Sequence, residues 1–319
     1  MLPGPRTYDV ACMGILVADV FGRPIDEWPR RGRLSLVAEM GMGVGGCAAN
    51  TGIGLAKLGA KTAVVGRVGR DGFGDFVRRT LEASGVDASA VQVDEQVGTS
   101  ATMVMVHGDG ERSFIHYMGA NTCLRPGDMP EALLGGSRLV HIAGALVMPG
   151  FDGEPAASVL RAAKEAGAVS CLDTVWDATG RWGELVGPML PYADWFLPSI
   201  AEAAEITGKS DPAAIAEDLL EAGVSVVALK RGEEGAYVRT RTEEHELPAF
   251  AVESVDGTGA GDAFVAGFLR ASLEGWPLRQ VGLFANAVGA LCTTAMGTTA
   301  GVRSFGETVA FLRERGVDV

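Results

Sequence analysis

No C-x-x-C pair, no H-x-x-x-H pair and no apolar run near the ~18 residues of a membrane span occurs in this 319-residue chain. Each absence removes a class of protein. The five cysteines, Cys12, Cys47, Cys123, Cys171 and Cys292, are odd in number and widely scattered, which fits reduced thiols rather than a disulfide framework. The four histidines, His107, His116, His141 and His245, lack ligand spacing, so a structural zinc site has no ligand set. Positive charge is scarce: 27 Lys and Arg stand against 40 Asp and Glu, a net charge of -13, with no basic cluster to offset it locally. That balance argues against a nucleic-acid partner, while a local pocket could still take a small anion. The opening stretch "MLPGPRTYDVACMG" has no basic segment followed by an apolar one, so a cytoplasmic location and no membrane partner are expected.

What is present is a chain 47% hydrophobic, able to bury a sizeable core. Short apolar runs, "YDVACMGI", "TAVVGRVG", "RLVHIAGAL", "AVSCLDT", "WFLPS" and "SVVALKRG", alternate with helical-period segments at about 49–58, 73–84, 155–166, 212–222, 260–273 and 277–294. That alternation predicts an α/β fold with a mostly parallel sheet covered on both faces. Residues 32–41 and 99–119 break the rhythm. They read as alternating strands, the second folded at "GDGE" as a hairpin, and suggest a small second sheet inserted in the first half. Without internal repeats or a long linker, one continuous domain over 1–319 is expected.

Two glycine clusters carry the chemistry. "GMGVGGCAAN", 41–50, contains G-x-G-x-x-G at Gly41, Gly43 and Gly46 before a helical segment, the pattern of a dinucleotide fingerprint. Its ribose-binding acid should follow about 20 residues on, where the chain has Gly66 and Arg67 instead. Three readings stand: an NAD(P)-dependent oxidoreductase, a tight strand-to-helix turn, or a hydroxyl-binding corner made by Gly45, Gly46 and Asn50. In the second cluster, "DGTGAGDAFVAGFLRASL", helical spacing from Val265 to Leu273 starts a helix near Ala260. The free N–H groups of Gly259-Ala260-Gly261 then cradle anionic oxygens at the positive end of the helix dipole. Asp262 is either a plain helix-terminal acid or the base of a phosphoryl transfer, which needs a proton acceptor beside charge-stabilising donors. The G-x-x-x-x-G-K-[ST] cradle is absent.

At these residues the chain resembles the ribokinase-like family of carbohydrate kinases. The resemblance rests on "GGCAANTGIGLAKLGAKTAVVGRVGRDGFG", 45–74, and "DGTGAGDAFVAGFL", 256–269, and runs over nearly the whole length, with Gly257 in the family's usual Thr place. It implies a three-layer α/β/α ribokinase-like fold with a small β lid, strands at about 14–42 and 99–119, which often pairs with the lid of a second copy into a homodimer. It also implies ATP and Mg²⁺ as donor and cofactor, and a small sugar or polyol as phosphoryl acceptor. Asp262 would be the general base, with Gly259, Ala260 and Gly261 as anion hole. Asp19, Gly45, Gly46 and Asn50 would bind substrate hydroxyls. Lys230, Gly232 and Gly235 in "LKRGEEGAYV" would face the nucleotide, or form an ordinary hairpin bend, and Asn286 would lie near the adenine, or be an exposed helix residue without a role. Glu202 would organise Mg²⁺ through water, although "SIAE" carries Ser199 where the family has Asn and equally spells a capping box. Asp256 with the carbonyls of Thr258, Cys292, Ala295 and Gly297 matches a monovalent-cation (K⁺) site, with Gly301 departing from an expected side-chain oxygen. A nucleoside acceptor is the rival within the family, with Phe21, Trp28 or Trp176 as walls for a base; Arg112 and His116 could instead grip an anionic sugar.

Overall fold

The computed structural model describes residues 2–319. Thirteen strands run in chain order: β1 Tyr8–Gly14, β2 Val17–Arg23, β3 Glu39–Gly45, β4 Thr62–Gly69, β5 Val91–Asp94, β6 Ala101–Val106, β7 Arg112–Tyr117, β8 Ser137–Ala145, β9 Val169–Thr174, β10 Trp195–Phe196, β11 Val226–Lys230, β12 Ala236–Arg239 and β13 Glu244–Leu247. The α-helices are α1 Cys47–Lys57, α2 Gly72–Ala83, α3 Glu131–Gly136, α4 Glu154–Glu165, α5 Trp182–Val186, α6 Ile200–Thr207, α7 Pro212–Glu221, α8 Ala260–Leu273, α9 Leu278–Cys292 and α10 Phe305–Arg313.

Nine strands form one sheet in the order β13-β12-β11-β10-β9-β8-β1-β4-β5. From β11 to β5 neighbours run parallel; β12 and β13 add an antiparallel edge. The central strands β1, β8 and β9 are almost wholly buried, as strands covered by helices on both faces must be. Helix α8 is buried nearly all round, through Ala263, Phe264, Val265, Ala266, Phe268, Leu269 and Ala271, and packs against α9 and α1. Small residues permit that approach, so its N-terminus is fixed by packing on two neighbouring helices.

The other four strands make a separate sheet, ordered β3-β2-β6-β7. The hairpin at 99–119 is present as β6 and β7. The strand expected at 32–41 is displaced: residues 32–37 form no strand, and β3 begins at Glu39 and runs to Gly45. Gly41 and Gly43 therefore lie inside a strand of the smaller sheet, paired with Phe21 and Asp19 of β2. Only Gly46 sits at the turn into α1. The dinucleotide fingerprint is thereby corrected, because its first two glycines do not face a strand-to-helix phosphate turn, and the NAD(P)-dependent reading loses its only support. Helix α10 was not anticipated, although Ser304 and Glu307 close a capping box at its start.

Candidate active site

The N-terminus of α8 opens into a cleft of about 850 Å³ lined, among others, by Gly259, Ala260, Gly261, Asp262, Lys230, Glu202 and Asn286. Gly259 holds the turn: its φ is 80°, and a Cβ there would stand 2.1 Å from the carbonyl oxygen of Thr298. Only glycine meets both conditions. The first-turn N–H groups beyond it have no partner within the helix and point where an anion would sit.

Asp262 stands at the third position of this helix. Asn50 Nδ2, from α1, donates to its Oδ2 at 2.8 Å, and the Cys47 thiol lies near enough to favour the charged carboxylate. Burial pushes the carboxyl above its ordinary value of 3.8, outweighing the opposing pull of Asn50, Lys230 and Cys47, while Glu202 adds to the rise. A carboxylate of raised pKa is a better proton acceptor, and Asp262 lines the same cleft as the Gly259-Ala260-Gly261 turn. Asn50 Oδ1 is buried and has no partner. A buried acceptor left open beside a carboxylate suits a donor hydroxyl brought by a ligand.

Gly45 and Gly46 join β3 to α1. A Cβ on Gly45 would fall 2.2 Å from Asp19 Oδ2, so the carboxylate of Asp19 lies directly on this backbone. Thr102 and His116 are its register neighbours across β6 and β7. Burial raises the Asp19 carboxyl, against the lowering effects of Thr102 and His116. Asp19 is thus brought to the start of the same helix that delivers Cys47 and Asn50 to Asp262.

Beside the same turn, where a Cβ on Gly261 would stand 3.6 Å from its Nζ, Lys230 at the end of β11 is bonded through Nζ to both oxygens of Asp173 at 2.8 Å. Sequence reading missed Asp173; the available signal was an acid at the carboxyl end of a parallel strand, the place where α/β sheets bind ligands. Burial lifts Asp173 to about 7 despite the Lys230 charge, with Glu202 and Asp262 adding repulsion. Gly232 and Gly235 form the bend between β11 and β12 and line the cleft. Asn286 is buried rather than exposed, its Nδ2 donating to the carbonyls of Leu247 at 3.2 Å and Pro248 at 3.1 Å; the roleless surface alternative is corrected. The capping box is real: Ser199 Oγ accepts from Glu202 N, and Glu202 Oε2 accepts from Ser199 N. The same Oε2 accepts from Thr174 Oγ1 at 3.1 Å, and Glu202 still lines the cleft. Asp173 is taken up by Lys230, so Glu202 is the carboxylate on this wall that could face a hydrated Mg²⁺.

The residues matched to a monovalent-cation site do not fit one. Asp256 Oδ1 accepts from Thr258 N at 2.8 Å and from Arg112 Nη1 at 2.5 Å, and its Oδ2 accepts from Gly297 N at 2.8 Å. The carboxylate is already neutralised by a guanidinium. Cys292 Sγ donates to Thr298 O at 3.2 Å, Ala295 lies in the loop spanning them, and a side chain at Gly301 would meet the carbonyls of Leu291 and Cys292 at 2.3 and 2.4 Å. The missing side-chain oxygen at Gly301 is therefore enforced by packing. Arg112, offered from the sequence as a grip for an anionic sugar, is paired with Asp256 in this structure.

The chain matches the pfkB family carbohydrate kinase over residues 8–304. It is 30% identical over 293 residues to 2-dehydro-3-deoxygluconokinase of Bacillus subtilis, covering 88% of this chain and 90% of that protein. It is 31% identical over 297 residues to ATP-dependent ribose-1-phosphate kinase of Halopiger xanaduensis, covering 91% and 94%. Among solved structures, Arabidopsis thaliana ribokinase complexed with ribose and ATP superposes with a TM-score of 0.85 at 25% identity, covering 96% of this chain and 99% of that one. A buried aspartate beside a glycine turn at a helix terminus and a two-sheet α/β frame are thus found in a chain that, by this match, belongs to the pfkB family of carbohydrate kinases.

Proposed function

We propose that this carbohydrate kinase transfers the γ-phosphoryl group of ATP to a primary hydroxyl of a small sugar or polyol, with Asp262 as general base. The observation that carries the reading is the meeting of Asp262, held by Asn50, with the Gly259-Ala260-Gly261 turn in one cleft. The acceptor hydroxyl loses its proton to Asp262 as its oxygen attacks the γ-phosphorus. The bond to the β,γ-bridging oxygen breaks, ADP leaves, and the first-turn N–H groups of α8 receive the charge on the transferred oxygens. Asp19, the backbone of Gly45 and Gly46, and Asn50 Oδ1 orient the acceptor. Lys230, Gly232, Gly235 and Asn286 flank the nucleotide. Mg²⁺, when bound through water near Glu202, supplies electrostatic shielding between the phosphates.

The chain acts as one kinase domain over 1–319, the smaller sheet of β2, β3, β6 and β7 serving as a lid that excludes water from the cleft. Met40, Met42, Met103, Ile115 and Tyr117 alternate on the face of that sheet turned away from Asp19 and are exposed. A second copy would cover this apolar face, giving a homodimer. The five free cysteines suit a cytoplasmic location, and no helix among the described residues is long and apolar enough to cross a membrane.

The test is an ADP-release assay across pentoses, hexoses, sugar acids, polyols and nucleosides. Phosphorylation of a sugar or polyol supports the reading, and turnover confined to nucleosides overturns it. The nucleoside alternative has Phe21 on the Asp19 face of the smaller sheet, its ring over Gly41, while Trp28 and Trp176 are 66% and 57% exposed.

A further inference from the structure

The Asp256 carboxylate is almost sealed, its side chain 2% exposed, and Arg112, its partner 144 positions away, is 16% exposed. The same guanidinium reaches Thr258 Oγ1 and lies 3.5 Å from Met296 Sδ. It spans from β7 of the smaller sheet to the two segments that shape the anion-holding turn. One is Asp256–Thr258, which leads into Gly259. The other is the 293–298 loop, whose Gly297 N–H bonds Asp256 and whose Thr298 carbonyl packs on Gly259. Thr298 Oγ1 also donates to the carbonyl of Val44 in β3 at 2.9 Å, so the smaller sheet grips this loop from two strands.

A buried carboxylate without a counter-charge is costly, and one bonded to two backbone N–H groups still needs it. A bound metal ion could meet the need; here a side chain does. An exposed ion pair would be of little consequence, but this one is neither exposed nor local. Burial raises the Asp256 carboxyl, and Arg112, Gly297 and Thr258 together overcome that and hold it down to about 2, so it stays charged under any working condition.

We propose that Arg112 is a positioning residue that performs at Asp256 the electrostatic task otherwise suited to a monovalent cation. The kinase then turns over without K⁺, and the shape of its anion-holding turn depends on where the smaller sheet sits. The inference rests on the catalytic reading of the α8 terminus given above.

The experiment compares wild type, Arg112→Ala, Arg112→Lys and Asp262→Asn in tetramethylammonium chloride and in KCl at equal ionic strength, about 0.1 M. Wild type is expected to show equal kcat in both media. Arg112→Ala should lose kcat on the order of tenfold or more without K⁺, with a smaller change in KM for ATP, and regain most of it in KCl. Arg112→Lys should fall between them with little response to K⁺. Independently of turnover, KCl should raise the melting temperature of Arg112→Ala and leave wild type unmoved, because only the variant has a vacancy to fill. Strong K⁺ activation of wild type overturns the proposal. So does a loss in Arg112→Ala that K⁺ does not restore, which would place the guanidinium on a phosphate or acceptor instead, and so does an unaffected variant. Should Arg112→Ala fail to fold, Arg112→Gln and the K⁺ melting titration of wild type decide in the same way. Asp262→Asn should be inactive in both media; if it is active, the catalytic reading itself has failed.

Discussion

Asn50 and Asp262, 212 positions apart in the chain, are joined by a 2.8 Å hydrogen bond in which the amide nitrogen donates to the carboxylate. The bond ties the start of α1 to the start of α8 and leaves the other amide atom, Oδ1, without a partner. One short contact therefore fixes the orientation of the base and reserves an acceptor for an incoming hydroxyl.

Replacement of Asp262 by asparagine keeps the volume and removes the proton acceptor. The expected loss in kcat is on the order of 10²-fold to 10⁴-fold, with ATP binding retained, measured by single-turnover phosphorylation beside nucleotide fluorescence titration. Near-normal turnover would take the base assignment away from this residue.

The acid limb of kcat/KM should lie above the ordinary carboxylate value of 3.8, because burial raises Asp262. Activity needs the ionised form, so it falls as pH drops through that raised value. The hydrogen bond from Asn50 favours the charged form, so Asn50→Ala should move the limb to higher pH in addition to weakening acceptor binding. A pH–rate series on both proteins checks the direction; a limb that moves down contradicts the assignment.

Neighbouring glycines should respond in opposite ways. Gly259→Ala sets a Cβ at positive φ and 2.1 Å from the Thr298 carbonyl, so it should destabilise by roughly 1–3 kcal/mol and cut kcat far more. Gly257 has nothing within 4 Å of its Cβ position, and Gly257→Thr should remain active. Thermal melts and initial rates for the pair separate this from a general intolerance of the loop.

Lys230→Met leaves Asp173 buried without a counter-charge, a change that costs about 3–5 kcal/mol for sealed pairs. Here the cost depends on pH. Asp173 already sits near 7 with its lysine in place; without it the carboxyl rises further. Its charged form burdens the fold only above that value, so the deficit should be largest in mild alkali and shrink as pH falls and Asp173 takes a proton. Urea melts at several pH values test this.

If a second copy covers the outer face of the smaller sheet, Met103→Lys should turn a dimer into a monomer in sedimentation while leaving the fold intact. Met103 is 53% exposed in the single chain, so a change of assembly, rather than lost core packing, is the expected effect.

The main sheet and helix α8 were legible because their signals are local: continuous apolar runs for doubly covered strands, helical spacing after Gly261 for the helix. Strand β3 was read too early because its glycines, taken as a turn, give a strand no side chains to show a period of two. Asp262 was visible through its neighbours in sequence. Asp173 and the pairing of Arg112 with Asp256 were not, since each depends on a partner 57 or 144 residues away that no spacing rule encodes.

The contact of Asp19 with Gly45 bears on any attempt to redesign acceptor preference. Even a methyl at position 45 would collide with the Asp19 carboxylate, so the backbone there is closed to tailoring. Changes of specificity have to come from Cys47, which borders the cleft and carries a replaceable side chain, or from the strand residues around Thr102 and His116.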